Sequence, residues 1–295
     1  MPRLQILKMS GISLMLTFAT SFFSKVLHAQ PNKGHVSVNE VNYYYEIHGE
    51  GKPLLLLHGG VGSFEMFRPI LSQLSKERQV IGVDLHGHGR TALGDRDINM
   101  KDMGDDMATL LSELGYKKPV DVMGYSLGGG VALRTAIQHP KSVNRLVVVS
   151  SGFTNDAFFP EIQKQQKMMG AGMVDAMRGT QMYESYQEIA PKPDDFPKLL
   201  DQMGALMRKS YDWSDEIKSL KLPVMLVYGD SDMFRLEYMI NFYKLLGGGQ
   251  RDAGWKGQYM SKNRLAILPG RTHYNIFKAP ELVRTVLPFL NGAWE

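Results

Sequence analysis

The chain has 295 residues, 43% of them hydrophobic and 22% charged, with glycine and proline spread throughout. That length suits one α/β domain carrying an insertion rather than two independent domains. The formal charge of +4 without a long Lys/Arg run points to no nucleic-acid or polyanion partner, and zero cysteine excludes disulfides, thiolate catalysis and Cys-ligated metals.

Residues 1–29 read as a signal peptide. Arg3 and Lys8 supply a positive start, and Gly11–Phe23 is an apolar run too short for a comfortable membrane span. Leu27-His28-Ala29 offers a small residue before a cut, with Gln30 opening the mature chain. This predicts a secreted or periplasmic protein with no stable membrane insertion after cleavage. The alternative is an uncleaved N-terminal anchor. Three of the bases (Arg3, Lys8 and Lys25) lie in this stretch, so the remainder is close to neutral.

His35–Gly49 alternates in the manner of a hairpin turning at Asn39-Glu40. Pro53–Leu57 is a continuous apolar run, as expected of a central strand covered on both faces, and leads into the glycine-rich His58-Gly59-Gly60-Val61-Gly62-Ser63. A helix is expected over about 64–75, a strand at Val80–Asp84, and a helix over Lys101–Leu114 with apolar residues at one-face spacing. Pro119–Met123 reads as a strand and Gly129–His139 as a helix ended by Pro140; Val143–Ser150 is another buried strand. From 152 to 220 the pattern breaks into polar, helical, methionine-rich sequence punctuated by Pro191, Pro193 and Pro197. It reads as a helical cap inserted into a core made of 30–151 and 221–295. Its methionines suit either an adaptable apolar binding surface or simple seating on the core. A strand at Leu222–Tyr228, a helix at about 235–246, a long glycine-rich loop, a strand at Asn263–Leu268 and a helix at Ala279–Asn291 complete the chain. Alternation of this kind predicts a mostly parallel sheet with helices on both faces.

Between the Pro119–Met123 strand and its helix stands Gly124-Tyr125-Ser126-Leu127-Gly128. A G-x-S-x-G at a strand-to-helix turn is a nucleophile elbow: it holds the serine in a strained conformation above the sheet, at a helix N-terminus that favours an anionic intermediate. A serine hydroxyl is a poor nucleophile at neutral pH. It needs an imidazole to take its proton and a carboxylate to orient that imidazole. His273 and Asp232 follow later strands, at the sheet edge where ligands bind in open α/β folds. Asp230 competes with Asp232 for the acid role, or caps its own turn; Asp156 is a third candidate. An oxyanion requires two backbone N–H donors. Leu127 supplies one; Gly60, or alternatively Val61, supplies the other.

His58-Gly59-Gly60, Asp84-Leu-His-Gly-His-Gly-Arg90, Gly124–Gly128, Gly229-Asp-Ser-Asp232 and His273 together resemble the α/β-hydrolase superfamily, over about residues 35–292. More narrowly they resemble its capped branch of esterases, lactonases, C–C bond hydrolases and cofactor-free haloperoxidase-like enzymes. The resemblance implies the α/β-hydrolase fold, a Ser126–His273–Asp232 triad and no cofactor. One departure is His86, where the family turn usually has Arg. His86 and His88 form a two-histidine turn without a third ligand, which does not amount to a metal site. Serine at the elbow, rather than aspartate, disfavours dehalogenase and epoxide-hydrolase chemistry. The expected reaction is hydrolysis of a small or medium carboxylic ester or lactone through an acyl-serine. The alternatives are a receptor-like protein with slow or no turnover and a C–C hydrolase or haloperoxidase-like enzyme.

Overall fold

The computed structural model describes residue 1 and residues 32–293. The expected signal segment, with its cut after Ala29, lies outside the described residues. Among the described residues no helix is long and apolar enough to cross a membrane.

Eight strands form one sheet in the order β1-β2-β4-β3-β5-β6-β7-β8. β1 (Asn32–Val38) and β2 (Val41–His48) are the expected hairpin, closed by Asn39 and Glu40. Both turn residues have positive φ, as a turn matching the twist of its strands requires. β3 (Lys52–Leu57), β4 (Arg78–Val83), β5 (Val120–Tyr125), β6 (Val143–Val149), β7 (Val224–Ser231) and β8 (Arg264–Thr272) are parallel.

The apolar run of β3 shows why these strands lie inside. Leu55 and Leu57 join the core on one face and Leu54 and Leu56 the core on the other. A two-residue period divides a continuous hydrophobic sequence between two layers. The first layer takes α2 (Met100–Glu113) and α3 (Leu127–Gln138) through Met103, Met107, Leu110 and Val131. The second takes α1 (Arg68–Leu74) through Ile70 and Leu74, and the C-terminal helix Pro280–Leu290 through Leu282 and Val286. The expected helix at 64–75 is split: a 3-10 turn at Phe64–Phe67, capped by Ser63, precedes α1. Pro69, which lacks an N–H, is tolerated at that junction because the first helical N–H groups have no intrahelical acceptor.

Between β6 and β7 the chain forms α4 (Pro160–Met168), α5 (Val174–Met177), α6 (Gln181–Ile189), α7 (Phe196–Arg208) and α8 (Ser214–Lys218). Only α7 is deeply seated, burying Phe196, Leu199, Leu200, Met203 and Leu206, whereas α4 buries nothing. The methionines divide accordingly: Met177 and Met203 are buried, Met168 and Met182 exposed. α9 (Leu236–Leu245) follows β7, and the C-terminal helix is α10. β8 is longer than its apolar sequence indicated. It continues through Pro269 and Gly270 to Thr272, across an irregularity in its pairing with β7. Pro269-Gly270, beyond the expected strand end at Leu268, is therefore a bulge within a longer strand, with Gly270 at φ 67.

Candidate active site

Ser126 stands between β5 and α3, at the N-cap of the helix, with φ 53 and ψ −118. A non-glycine residue at such a φ persists only when its surroundings over-determine it, and here they do. The Ser126 N–H donates to the Val149 carbonyl (3.0 Å), and the Gly128 N–H to the His58 carbonyl (3.0 Å). A Cβ on Gly124 would fall on the backbone of Gly128, and one on Gly128 on the Leu57 and His58 carbonyls. Neither obstacle is a flexible side chain, so glycine is needed at both places.

His273 and Asp232 meet this serine. His273 Nε2 lies 3.1 Å from Ser126 Oγ, and His273 Nδ1 lies 3.1 Å from Asp232 Oδ1. An ionised carboxylate only accepts, so Nδ1 carries the proton and donates to Asp232, leaving Nε2 to accept from the serine hydroxyl. Asp232 is itself fixed. Oδ1 also accepts from the Met233 N–H (2.8 Å), and Oδ2 accepts from the Gly229 N–H (3.2 Å) and the Ser150 hydroxyl (2.5 Å). Asp230, the competing acid, is exposed and accepts from the Gly270 N–H across the β8 bulge (3.0 Å). It holds the strand that carries His273, not the imidazole. Asp156 lies in a 3-10 turn capped by Thr154.

Two supporting residues escaped sequence reasoning. Ser150, at the end of β6, has φ 45 and aims its hydroxyl at Asp232. Tyr125, inside the elbow, donates its hydroxyl to the His273 carbonyl (2.7 Å) and packs its ring 5.1 Å from the imidazole. Burial, then the Asp232 charge, raises the Tyr125 phenol well above its ordinary range, so it stays a donor. A polar residue just past an apolar strand was the one available signal, and it marks many turns.

The loop after β3 borders the serine. A Cβ on Gly59 would stand 3.3 Å from Ser126 Cβ, and one on Gly60 would stand 3.8 Å from Leu127 Cβ. Gly60 and Leu127 are thus brought together. The Leu127 N–H is the first of α3, among the donors that have no intrahelical acceptor. Val61, the alternative to Gly60, sits at φ 56, an outlier for a β-branched residue. Met203 of α7 reaches this loop: its methyl lies 2.9 Å from where a Gly60 Cβ would be.

The remaining histidines of the region are structural. His58 is fully buried, with Nδ1 2.7 Å from the Gly59 carbonyl and Nε2 accepting from the Leu85 N–H (2.9 Å). It ties the loop after β3 to the turn after β4, and burial lowers its pKa to about 4. His86 Nε2 faces the Leu93 carbonyl (2.6 Å) and His88 Nδ1 the His86 carbonyl (2.8 Å). Burial holds His88 at about 3. Among the described residues no group of His, Asp or Glu is arranged to hold a metal ion. Asp84, also buried, accepts from the Phe64 and Arg90 N–H groups (2.7 and 2.9 Å) and closes the same turn.

A family model described as alpha/beta hydrolase fold matches residues 52–181. The chain is similar to a pimeloyl-[acyl-carrier protein] methyl ester esterase of Legionella pneumophila (strain Paris), 23% identical over 251 residues, covering 80% of this chain and 96% of that protein. Among solved structures it is similar to a thermophilic esterase from Thermogutta terrifontis, with TM-score 0.67 and 20% identity over 90% of this chain and 100% of that one. It is also similar to an enol-lactonase from Burkholderia xenovorans LB400, with TM-score 0.63 and 20% identity over 88% and 100%. The sheet order, the strained elbow, the family model over 52–181 and the likeness to these solved structures have one conclusion: the chain has the α/β-hydrolase fold.

Proposed function

We propose that the protein is a serine hydrolase that cleaves a small or medium ester-type substrate, a carboxylic ester or a lactone, through an acyl-serine intermediate. The observation that carries this reading is the placement of one imidazole between Ser126 Oγ and Asp232 Oδ1, 3.1 Å from each. His273 Nε2 takes the proton as Ser126 Oγ attacks the acyl carbon, and Asp232 stabilises the imidazolium that forms. The negative charge on the former carbonyl oxygen is met by the Leu127 and Gly60 N–H groups and by the N-terminus of α3. The imidazolium then protonates the leaving alcohol oxygen as the C–O bond breaks, giving the acyl-serine. Water, deprotonated by His273, attacks that ester and returns Ser126 with release of the acid. No cofactor enters these steps.

The segment 152–220 acts as a cap in this reading, with Met203 forming part of the acyl-binding wall beside Gly60. Ester-cleaving relatives support the bond type. We further propose that the protein is exported and cut after Ala29, which N-terminal sequencing of the mature protein checks.

Labelling with a fluorophosphonate probe tests the serine, and hydrolysis of p-nitrophenyl esters of increasing chain length, beside lactones, tests the bond. Labelling of wild type and none of Ser126→Ala is expected. Equal labelling of the two would remove Ser126 as the nucleophile. Activity falling steadily from acetate upward would remove the apolar acyl pocket.

A further inference from the structure

Between α9 and β8 lies a segment whose side chains are used nowhere in the site above. Trp255 is fully exposed, at 106% relative accessibility, and Tyr259 and Met260 are each at least half exposed. Single exposed apolar residues are ordinary on protein surfaces; a bare tryptophan with two large apolar neighbours on one loop is not. The same stretch carries Arg251, Lys256 and Lys262 against one acid, Asp252, with Lys244 in the last turn of α9 and Arg264 at the start of β8 flanking it. Among the described residues Lys244, Arg251 and Lys256 form no ion pair, and Asp252 accepts from the Gly254 N–H instead. The Arg251 guanidinium lies over the Tyr259 ring, 3.9 Å from its centroid, so a cation and an aromatic ring are presented together.

The fold extends this charge. Asn263 accepts from the Val224 N–H at the start of β7 (2.8 Å), and the Lys262 ammonium donates to the Lys221 carbonyl. The loop therefore stands at the edge where the parallel strands begin. At the same edge, ahead of β5 and β6, Lys117, Lys118 and Lys141 line a shallow hollow. Ser126, Asp232 and His273 stand at the opposite edge, where the strands end. A cation near a helix C-terminus suits the helix dipole and accounts for Lys244. It does not account for Lys256 or for Trp255.

We infer that this loop is a peripheral docking surface for an anionic lipid bilayer, with Trp255 and Tyr259 seated at headgroup level and the surrounding bases facing the lipid charge. Trp and Tyr favour that interface because each joins an apolar ring to a polar tip, and basic residues beside them add attraction to anionic headgroups. A second copy of the chain fits worse, since a symmetric contact would bring identical cations face to face. Docking on this edge leaves the Ser126 site turned toward solvent.

The test uses the full chain with vesicles of phosphatidylcholine containing roughly 30% phosphatidylglycerol, and with phosphatidylcholine alone. Bromine-labelled lipid reports contact through quenching of tryptophan emission. Wild type is expected to be quenched on the anionic vesicles, less so as salt rises, and Trp255→Ala should lose that quenched component. Trp255→Ala combined with Tyr259→Ala should bind at least about tenfold more weakly, with ester hydrolysis in solution unchanged. The Trp255 readout separates this surface from the apolar segment at 11–23, which would carry both proteins to the vesicle alike. Equal quenching in wild type and Trp255→Ala overturns the inference, as does absence of binding. A lipid-free dimer that Trp255→Ala dissociates would assign the loop to a second copy instead.

Discussion

The elbow and α7 converge on Gly60 and are held there in opposite ways. At Gly124–Gly128 the neighbours are backbone atoms: a methyl group on either glycine would strike a peptide carbonyl or a peptide plane. At α7 the contact is one methionine methyl on a side chain with three rotatable bonds, on a helix adjoining α4, which buries no residue. Backbone cannot yield by changing rotamer, and a thioether can. The difference teaches that the serine proposed to react stands where the chain has no alternative, while the wall proposed to select the substrate stands where it has several.

Removing the reactive group itself gives the largest effect. Ser126→Ala is expected to lower kcat at least about 10⁴-fold and to leave the thermal midpoint almost unmoved, because the hydroxyl supports nothing in the fold. A variant retaining a tenth of the activity would dissolve the comparison. Asp232→Asn should cost about 10³- to 10⁴-fold in kcat, since an amide at this place can set the wrong imidazole tautomer. Asp230→Asn, on the exposed bulge, should stay within about threefold. Parallel ester kinetics on the two variants decide between the carboxylates.

Backbone intolerance is tested next. Gly128→Ala should lose more than about 3 kcal/mol in urea unfolding, because the Leu57 and His58 carbonyls must move. A stable, active Gly128→Ala would show that the elbow is less constrained than the sheet implies. The rigid side of the comparison also carries a pH signature. His58 and His88 are buried and neutral, with pKa values lowered to about 4 and about 3. An unfolded histidine titrates near 6.5. Between those values the unfolded chain binds more protons, so stability falls as the pH drops below about 6.5, and the loss is complete only below about 3. His58 alone accounts for roughly 3 kcal/mol of that loss. Unfolding midpoints from pH 7 to pH 4 measure it, and His88→Asn should make the slope shallower.

Met203→Ala gives the smallest change in the chemistry and sharpens the contrast most. It should raise the kcat/KM ratio of hexanoate over acetate esters by up to about tenfold, as removal of a few methylene-sized groups allows. It should cost about 2 kcal/mol of stability as a cavity in a buried wall. An unchanged ratio would take Met203 out of the acyl site and leave it as a seat for α7.

The sequence by itself determined the layered α/β architecture, because a parallel strand buried on both faces reads as an unbroken apolar run, and Pro53–Leu57 and Leu146–Val149 are such runs. It also singled out Ser126 as the candidate nucleophile, since glycines flanking a serine between strand and helix have few other uses, and it offered Asp232 and His273 as candidates through their places after β7 and β8. What it could not carry was direction. Asp230 and Asp232 are two residues apart on one turn, and the β7–β8 pairing alone decides that Asp232 faces the imidazole while Asp230 faces Gly270. Ser150 and Val61 hold backbone angles that no side-chain pattern announces. The basic edge was invisible for the same reason. Its lysines are spread from Lys117 to Lys262 in sequence, and only the parallel sheet, by starting every strand on one side, brings them to one edge of the fold.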